Sequence, residues 1–177
     1  NFQKLNSTFE YQKDNLSFNN MKFLFNDLNF LSKNISFKKV QNNFLVNGNI
    51  NHKTLDIKEK NINLFLKPYL PEIDIKKLIL ISNNNFSFKV NKKFEFNDFK
   101  LDTKISIDEF SITNKFSLKK FLPNIKESLN FLDHKLSIKY SKNDLNIIGK
   151  GSILLQDKDD IFTYSLNKKN NILNLKT

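Results

Sequence analysis

His52 and His134 are the two side chains of this 177-residue chain best suited to acid–base or metal chemistry. Each stands alone, and the chain has no cysteine. Thiol catalysis, disulfides and thiolate metal sites are therefore excluded, and a lone histidine is poor zinc-ligand material. His52 falls in an Asn-rich turn and His134 just beyond a helix expected over about 121–132, so both read as solvated loop histidines. Asp157, Asp159 and Asp160 form the densest acidic cluster. A calcium loop adds a glycine and a distal glutamate; here the cluster separates two apolar runs and reads as a hairpin turn. Asp108-Glu109 reads as a solvated bulge. No serine lies in a G-x-S-x-G setting. Gly149 and Gly151 flank Lys150 in a strand-like run, where they signal a bulge rather than a phosphate loop. The N-x-[ST] sequons at Asn6, Asn15, Asn34 and Asn85 are about as many as this composition yields by chance. No acid, base, nucleophile or metal set assembles, so the expectation is a non-enzyme with no catalytic residue, no metal and no cofactor.

The elements around these residues follow a period of two. Phe99, Leu101, Thr103, Ile105 and Ile107 alternate with Lys100, Asp102, Lys104 and Ser106, the pattern of a sheet with one dry and one wet face. After Asp108-Glu109 the stripe continues one residue out of phase, at Phe110 and Ile112. A one-residue slip turns a strand inside out unless a bulge absorbs it, so a bulge is expected near Asp108, with a similar slip at Asn97-Asp98. The same grammar runs through Leu16/Phe18, Met21/Phe23/Phe25, Leu28/Phe30, Ile35/Phe37, Phe44/Val46, Leu55/Ile57 and Phe86/Phe88/Val90. Further strands are expected at about 135–140, 144–155, 161–167 and 171–176. Asn and Asp punctuate the runs and tolerate left-handed turn conformations. The fold class expected is all-β and mostly antiparallel: a long curved sheet of about a dozen short strands.

Two stretches break the rhythm. Residues 59–72 carry Pro68 and Pro71 and read as a crossover or loop. Leu122, Ile125, Leu129 and Leu132, with Phe121 alongside, have the spacing of a short amphipathic helix over about 121–132, with Pro123 in its first turn.

Composition bounds the rest. The formal net charge is +11, but every base is lysine. Lysine, 29 asparagines and 19 phenylalanines are what an AT-rich genome writes by default, so the charge is discounted as a functional signal. Without arginine there is no bidentate phosphate or guanine contact. The lysines are spread evenly, away from the phenylalanines, and no nucleic-acid partner is expected. No apolar run approaches the roughly 18 residues that span a bilayer as a helix. The chain starts at Asn1 and reads as a single β-rich domain over 1–177, a fragment of a longer protein.

The run Phe44–Ile57, FLVNGNINHKTLDI, reads as strand, Gly-Asn turn, strand. Leu145–Leu155, LNIIGKGSILL, with Phe162–Leu166 after an acidic turn, reads as two strands around G-x-G. Both resemble repeats of the AsmA-like superfamily, which includes YhdP- and TamB-type envelope proteins. The resemblance implies a periplasmic, bridge-like protein, anchored to the inner membrane by a segment outside this chain. Its β-groove would hold phospholipid acyl chains on their way to the outer membrane. The expected groove lining is Phe99, Leu101, Ile105, Ile107, Phe110 and Ile112, with Leu145, Ile147, Ile153 and Leu155 as a second stretch. The alternatives are an ordinary closed core, and a structural or adhesive β-rich surface module without lipid.

Overall fold

A computed structural model describes residues 2–57, 61–62, 74–113, 123–126, 128–154, 158–170 and 172–177. They form one open antiparallel sheet in sequence order. The strands are β1 Phe2–Gln12, β2 Asn15–Phe25, β3 Leu28–Val40, β4 Asn43–Asp56, β5 Asp74–Asn91, β6 Phe96–Thr113, β7 Ser128–Ser141, β8 Asp144–Leu154, β9 Asp159–Lys169 and β10 Ile172–Lys176. Every strand pairs with its chain neighbours, and β1 and β10 are the two edges.

The ten described strands are longer than the sequence grammar suggests; β5 and β6 each run 18 residues. Some Asn-rich clusters are turns. Asn26-Asp27 closes the β2–β3 hairpin with φ of 49° and 65°, the two positive values of a type I′ turn. Others lie inside strands, where side-chain amides tie neighbouring strands together. Asn34 Nδ2 donates to Asn19 Oδ1 across β2–β3 at 2.7 Å. Asn49 Oδ1 accepts from the Lys33 amide at 2.9 Å, at a β3–β4 register shift between Leu31 and Ile35. In a chain this rich in asparagine, the residue type alone does not separate a turn from a bonded rung. Of the acidic cluster expected to form a turn, Asp159 and Asp160 open β9, and Asp157 lies outside the described residues.

Both expected slips are present. Ile79 pairs with Glu109 and Leu80 with Ile107, leaving Asp108 as the extra residue that keeps Phe110 and Ile112 on the dry face. The β5–β6 ladder shifts again between Ser87 and Lys89, where Asp98 has φ 54°. The bulge expected at Gly149 and Gly151 instead places its extra residue on β7. The ladder shifts between Leu132 and Lys135, opposite Gly151, and Asp133 takes φ 51°. None of the three glycines has positive φ. Each accepts a neighbouring ring where a Cβ would collide: Gly48 beneath Phe86, Gly149 beneath Tyr164, Gly151 beneath His134. Rings laid over strand glycines restore the packing that a missing side chain would forfeit.

The helix expected over about 121–132 is not formed in the described part of that span. Pro123 and Asn124 make a turn, and residues 128–132 open β7; residues 121, 122 and 127 lie outside the described residues. Leu129 pairs with Ile112 and Phe131 with Phe110, so the ladder and the dry-face contacts override the helical spacing. Most of the expected crossover at 59–72 also lies outside the described residues. Asn61 and Ile62 sit in a helical turn, and Asn61 Nδ2 donates to the Asn26 carbonyl at 3.1 Å.

The sheet has two unlike ends. At the crossover end, Ile62, Ile75, Leu78, Ile112, Ile125 and Leu129 form a buried cluster, with Ile57, Leu80, Ile107, Phe110 and Phe131 packed against it. The opposite end carries the turns after β1, β3, β5 and β7. There Phe9, Tyr11, Phe94 and Phe96 are 73%, 68%, 80% and 69% exposed. Burial of a ring of this size is worth about 1.5–3 kcal/mol, so the hairpin end leaves much apolar surface in water.

Candidate apolar groove

Register places the dry-face side chains in rows that cross the sheet. One row reads Tyr11, Leu16, Phe37, Val46 and Phe88 over β1 to β5. The next row toward the hairpin turns reads Lys39, Phe44, Val90 and Phe96. These two rows, with Phe94 from the β5–β6 turn, frame a groove of about 710 Å3 rimmed by Asp14, Lys39 and Lys92. That volume lies within the range of small-ligand sites, about 300–1,000 Å3. Val46, between Phe37 and Phe88 in the first row, is only 1% exposed. Rings continue past it across the sheet: Phe88 lies 5.4 Å from Phe96 and 6.5 Å from Phe99, and Phe99 lies 5.9 Å from Tyr140, centroid to centroid.

The residues expected to line a groove fall on this same face. On β6, Leu101 opposes Tyr140, Ile105 opposes Leu136, Ile107 opposes His134 and Phe110 opposes Phe131. On β8, Leu145 opposes Tyr140, Ile147 opposes Ile138 and Ile153 opposes Phe131. Leu155 lies outside the described residues. Ile112 is sealed in the crossover-end cluster and faces no open space. None of the nine described ones borders the 710 Å3 groove; Phe99 touches its wall through Phe88. The groove residues that the expected lining omits, such as Tyr11, Phe37, Phe44 and Phe88, belong to alternating runs of the same kind. Their hairpin-end position depends on strand register, which alternation within one strand does not specify.

The two histidines are corrections. His52 lies on β4, 9% exposed, rather than in a solvated turn. Its Nδ1 sits 2.8 Å from the Asn29 carbonyl, and its ring packs edge-on to Phe30 at 4.5 Å. His134 lies on β7, 4% exposed, among Phe131, Phe162 and Tyr164. Desolvation lowers both pKa values below the usual histidine range. The Asn29 carbonyl offsets part of this for His52, whereas among the described residues neither ring nitrogen of His134 has a hydrogen-bond partner. Burial also raises the Tyr164 pKa. Both histidines are ring-packing members of the dry face, held neutral. Among the described residues no group of three or more His, Cys, Asp or Glu gathers as a metal site.

The wet face carries a more open trough of about 750 Å3 over β4–β9, whose lining also takes in Phe86, Leu101, Tyr140 and Leu145 of the row between its two polar rows. Asn85, Asp102, Lys139, Asn146 and Asn167 cross it on one row, and Ser87, Lys100, Ser141, Asp144 and Lys169 on the next. Each row sets acid beside base, Asp102 opposite Lys139 in one and Asp144 opposite Lys169 in the next, which suits a solvated outer wall. Among the described residues, no helix is long and apolar enough to cross a membrane. No family model, no curated protein and no solved structure matches this chain.

Proposed function

We propose that this chain is a non-enzymatic segment of a bridge-like lipid-transport or outer-membrane-assembly protein of the periplasm. Its dry face holds phospholipid acyl chains between the inner and outer membranes. The observation that carries the reading is the one-sidedness of the sheet. Ten described strands in a single open layer align their aromatic rows on one face, with only single apolar residues such as Ile81, Ile148 and Ile161 exposed on the other, and at the hairpin end large rings stay exposed. Exposed apolar patches of this kind mark binding surfaces. Rows of Phe and Leu offer repeated weak contacts of similar strength, which suits cargo that slides. The charged wet face keeps the outside in water.

A structural module without lipid is the second reading, favoured by the amide rungs such as Asn19–Asn34 that lock strand to strand. Solvent extraction of purified protein followed by mass spectrometry separates the two. The transport reading expects co-purifying phospholipid and uptake of a fluorescent phospholipid. Protein that is consistently free of lipid and refuses the probe sinks it.

A further inference from the structure

Lys39 breaks the alternation. After Ile35 and Phe37 the dry stripe calls for an apolar residue at position 39, and register puts Lys39 in the same row as Phe44, Val90 and Phe96. Its backbone amide donates to the Asp14 carbonyl at 2.8 Å, which fixes where the side chain leaves the sheet. Lys92, from the β5–β6 turn, reaches the same rim, and Asp14 is the opposing charge there. The rim therefore carries two ammonium groups against one carboxylate at the mouth of an aromatic trough. The far end of the sheet is filled by the buried cluster around Leu78 and Leu129, so a ligand has one end of this face at which to keep a polar group in water.

We propose that the groove is an amphiphile site selective for an anionic head group. The acyl tail lies over Phe37, Phe44, Phe88 and Val90, and a phosphate or carboxylate sits between Lys39 and Lys92. The proposal rests on the lipid-holding reading above and adds to it the head-group chemistry, the orientation and the two residues that select it. Lysine suits the task because its stem covers apolar surface while its ammonium stays at the water boundary.

The test is displacement of Nile red from the whole chain at low salt, by dodecyl phosphate or dodecanol below their aggregation limits, with inorganic phosphate as a third arm. Dodecyl phosphate is expected to displace the dye more tightly than dodecanol. That preference should fall about fivefold in Lys39→Gln and again in Lys92→Gln, by the attraction one lysine exerts on an anionic lipid surface. It should also shrink with added salt. Lys150→Gln, on the wet face, should leave it unchanged, and equal urea midpoints establish that the variants fold. An unchanged preference in both rim variants overturns the head-group proposal. Binding of both amphiphiles in that case leaves the acyl-groove reading standing; failure of both amphiphiles to displace the dye from the unmodified chain sinks both readings. Displacement by inorganic phosphate alone would reassign the site to a free anion. A dimer by sedimentation that hides the groove, with no amphiphile bound, would reassign it to a second copy of the chain; either result overturns the proposal.

Discussion

Truncating one apolar side chain at each end of the dry face tests whether the sheet is open in solution. Leu129 is 6% exposed within the crossover-end cluster, whereas Phe96 is 69% exposed at the groove rim. Leu129→Ala removes buried methyl groups and leaves a cavity, a change that costs about 2–5 kcal/mol. Phe96→Ala removes a ring with roughly a third of its surface covered. Scaling the full value of about 1.5–3 kcal/mol by that third gives about 0.5–1 kcal/mol. The smaller side chain should therefore cost several times more than the larger one, the reverse of their sizes. In urea, with an m-value of about 2 kcal/mol/M, the midpoint should fall by about 1–2.5 M for Leu129→Ala and by about 0.5 M or less for Phe96→Ala. Amphiphile affinity should respond the other way: weakened by Phe96→Ala and, among molecules that stay folded, unaffected by Leu129→Ala.

Equal midpoint shifts would refute the open groove. They would mean that Phe96 is covered in solution and that the dry face is an ordinary closed core. A shift for Phe96→Ala that grows with protein concentration would identify a second copy as the cover.

Gly151→Ala should destabilise by about 1–3 kcal/mol, the cost of overpacking, because its Cβ would enter the His134 ring; pairing it with His134→Ala in a double-mutant denaturation cycle should recover part of the loss. Deleting Asp108 should cost far more than Asp108→Ala, because only the deletion turns Phe110 and Ile112 to the wet face; circular dichroism melts of the two variants check this. Stability should also depend on pH. His52 and His134 have folded pKa values below the unfolded 6.5, so the unfolded chain binds more protons in the window beneath 6.5. Stability is then full above that pH and declines as pH falls through the window. His134→Gln should flatten that slope in urea titrations from about pH 7 to 5, and an unchanged slope would contradict the burial of the ring. Asn34→Ala should cost about 0.5–1.5 kcal/mol by urea denaturation, the value of one hydrogen bond.

Much of the fold is legible in the sequence because alternation is a local signal. Phe99 to Ile107 mark a dry face, and the phase slip beyond them locates the Asp108 bulge. The helical spacing at 121–132 shows where such reading fails. A spacing of three and four is ambiguous when only a few apolar residues carry it. Leu129 and Phe131 are settled by partners on β6 that are distant in sequence, and Ile125 packs into the same cluster as Ile112. The histidines escape sequence reading for the same reason. His52 follows asparagines that look like turn formers, yet it faces Ser82 across the β4–β5 ladder. His134 is placed by the bulge at Asp133, which the residues on β7 do not announce. The groove is legible as a face but not as a location, since its rows gather side chains from six strands.

The lysines complete that argument. Charge alone points to an anionic partner for the whole molecule, and an even spread of lysines makes the signal uninformative. Register separates them. Lys38, Lys89, Lys100, Lys104, Lys135, Lys139 and Lys150 fall on wet-face positions, where they pair with Asp98 in the case of Lys89 and otherwise solvate the outer wall. Lys39 and Lys168 fall in dry rows, Lys168 opposite Leu145 and Leu173, and both lie toward the hairpin turns. A solvated wall needs charge on one face only. Lys39, set in an apolar row at the end that the buried cluster leaves open and joined there by Lys92 from the β5–β6 turn, stands where an anionic head group would be met if its tail lay on the rings beside it.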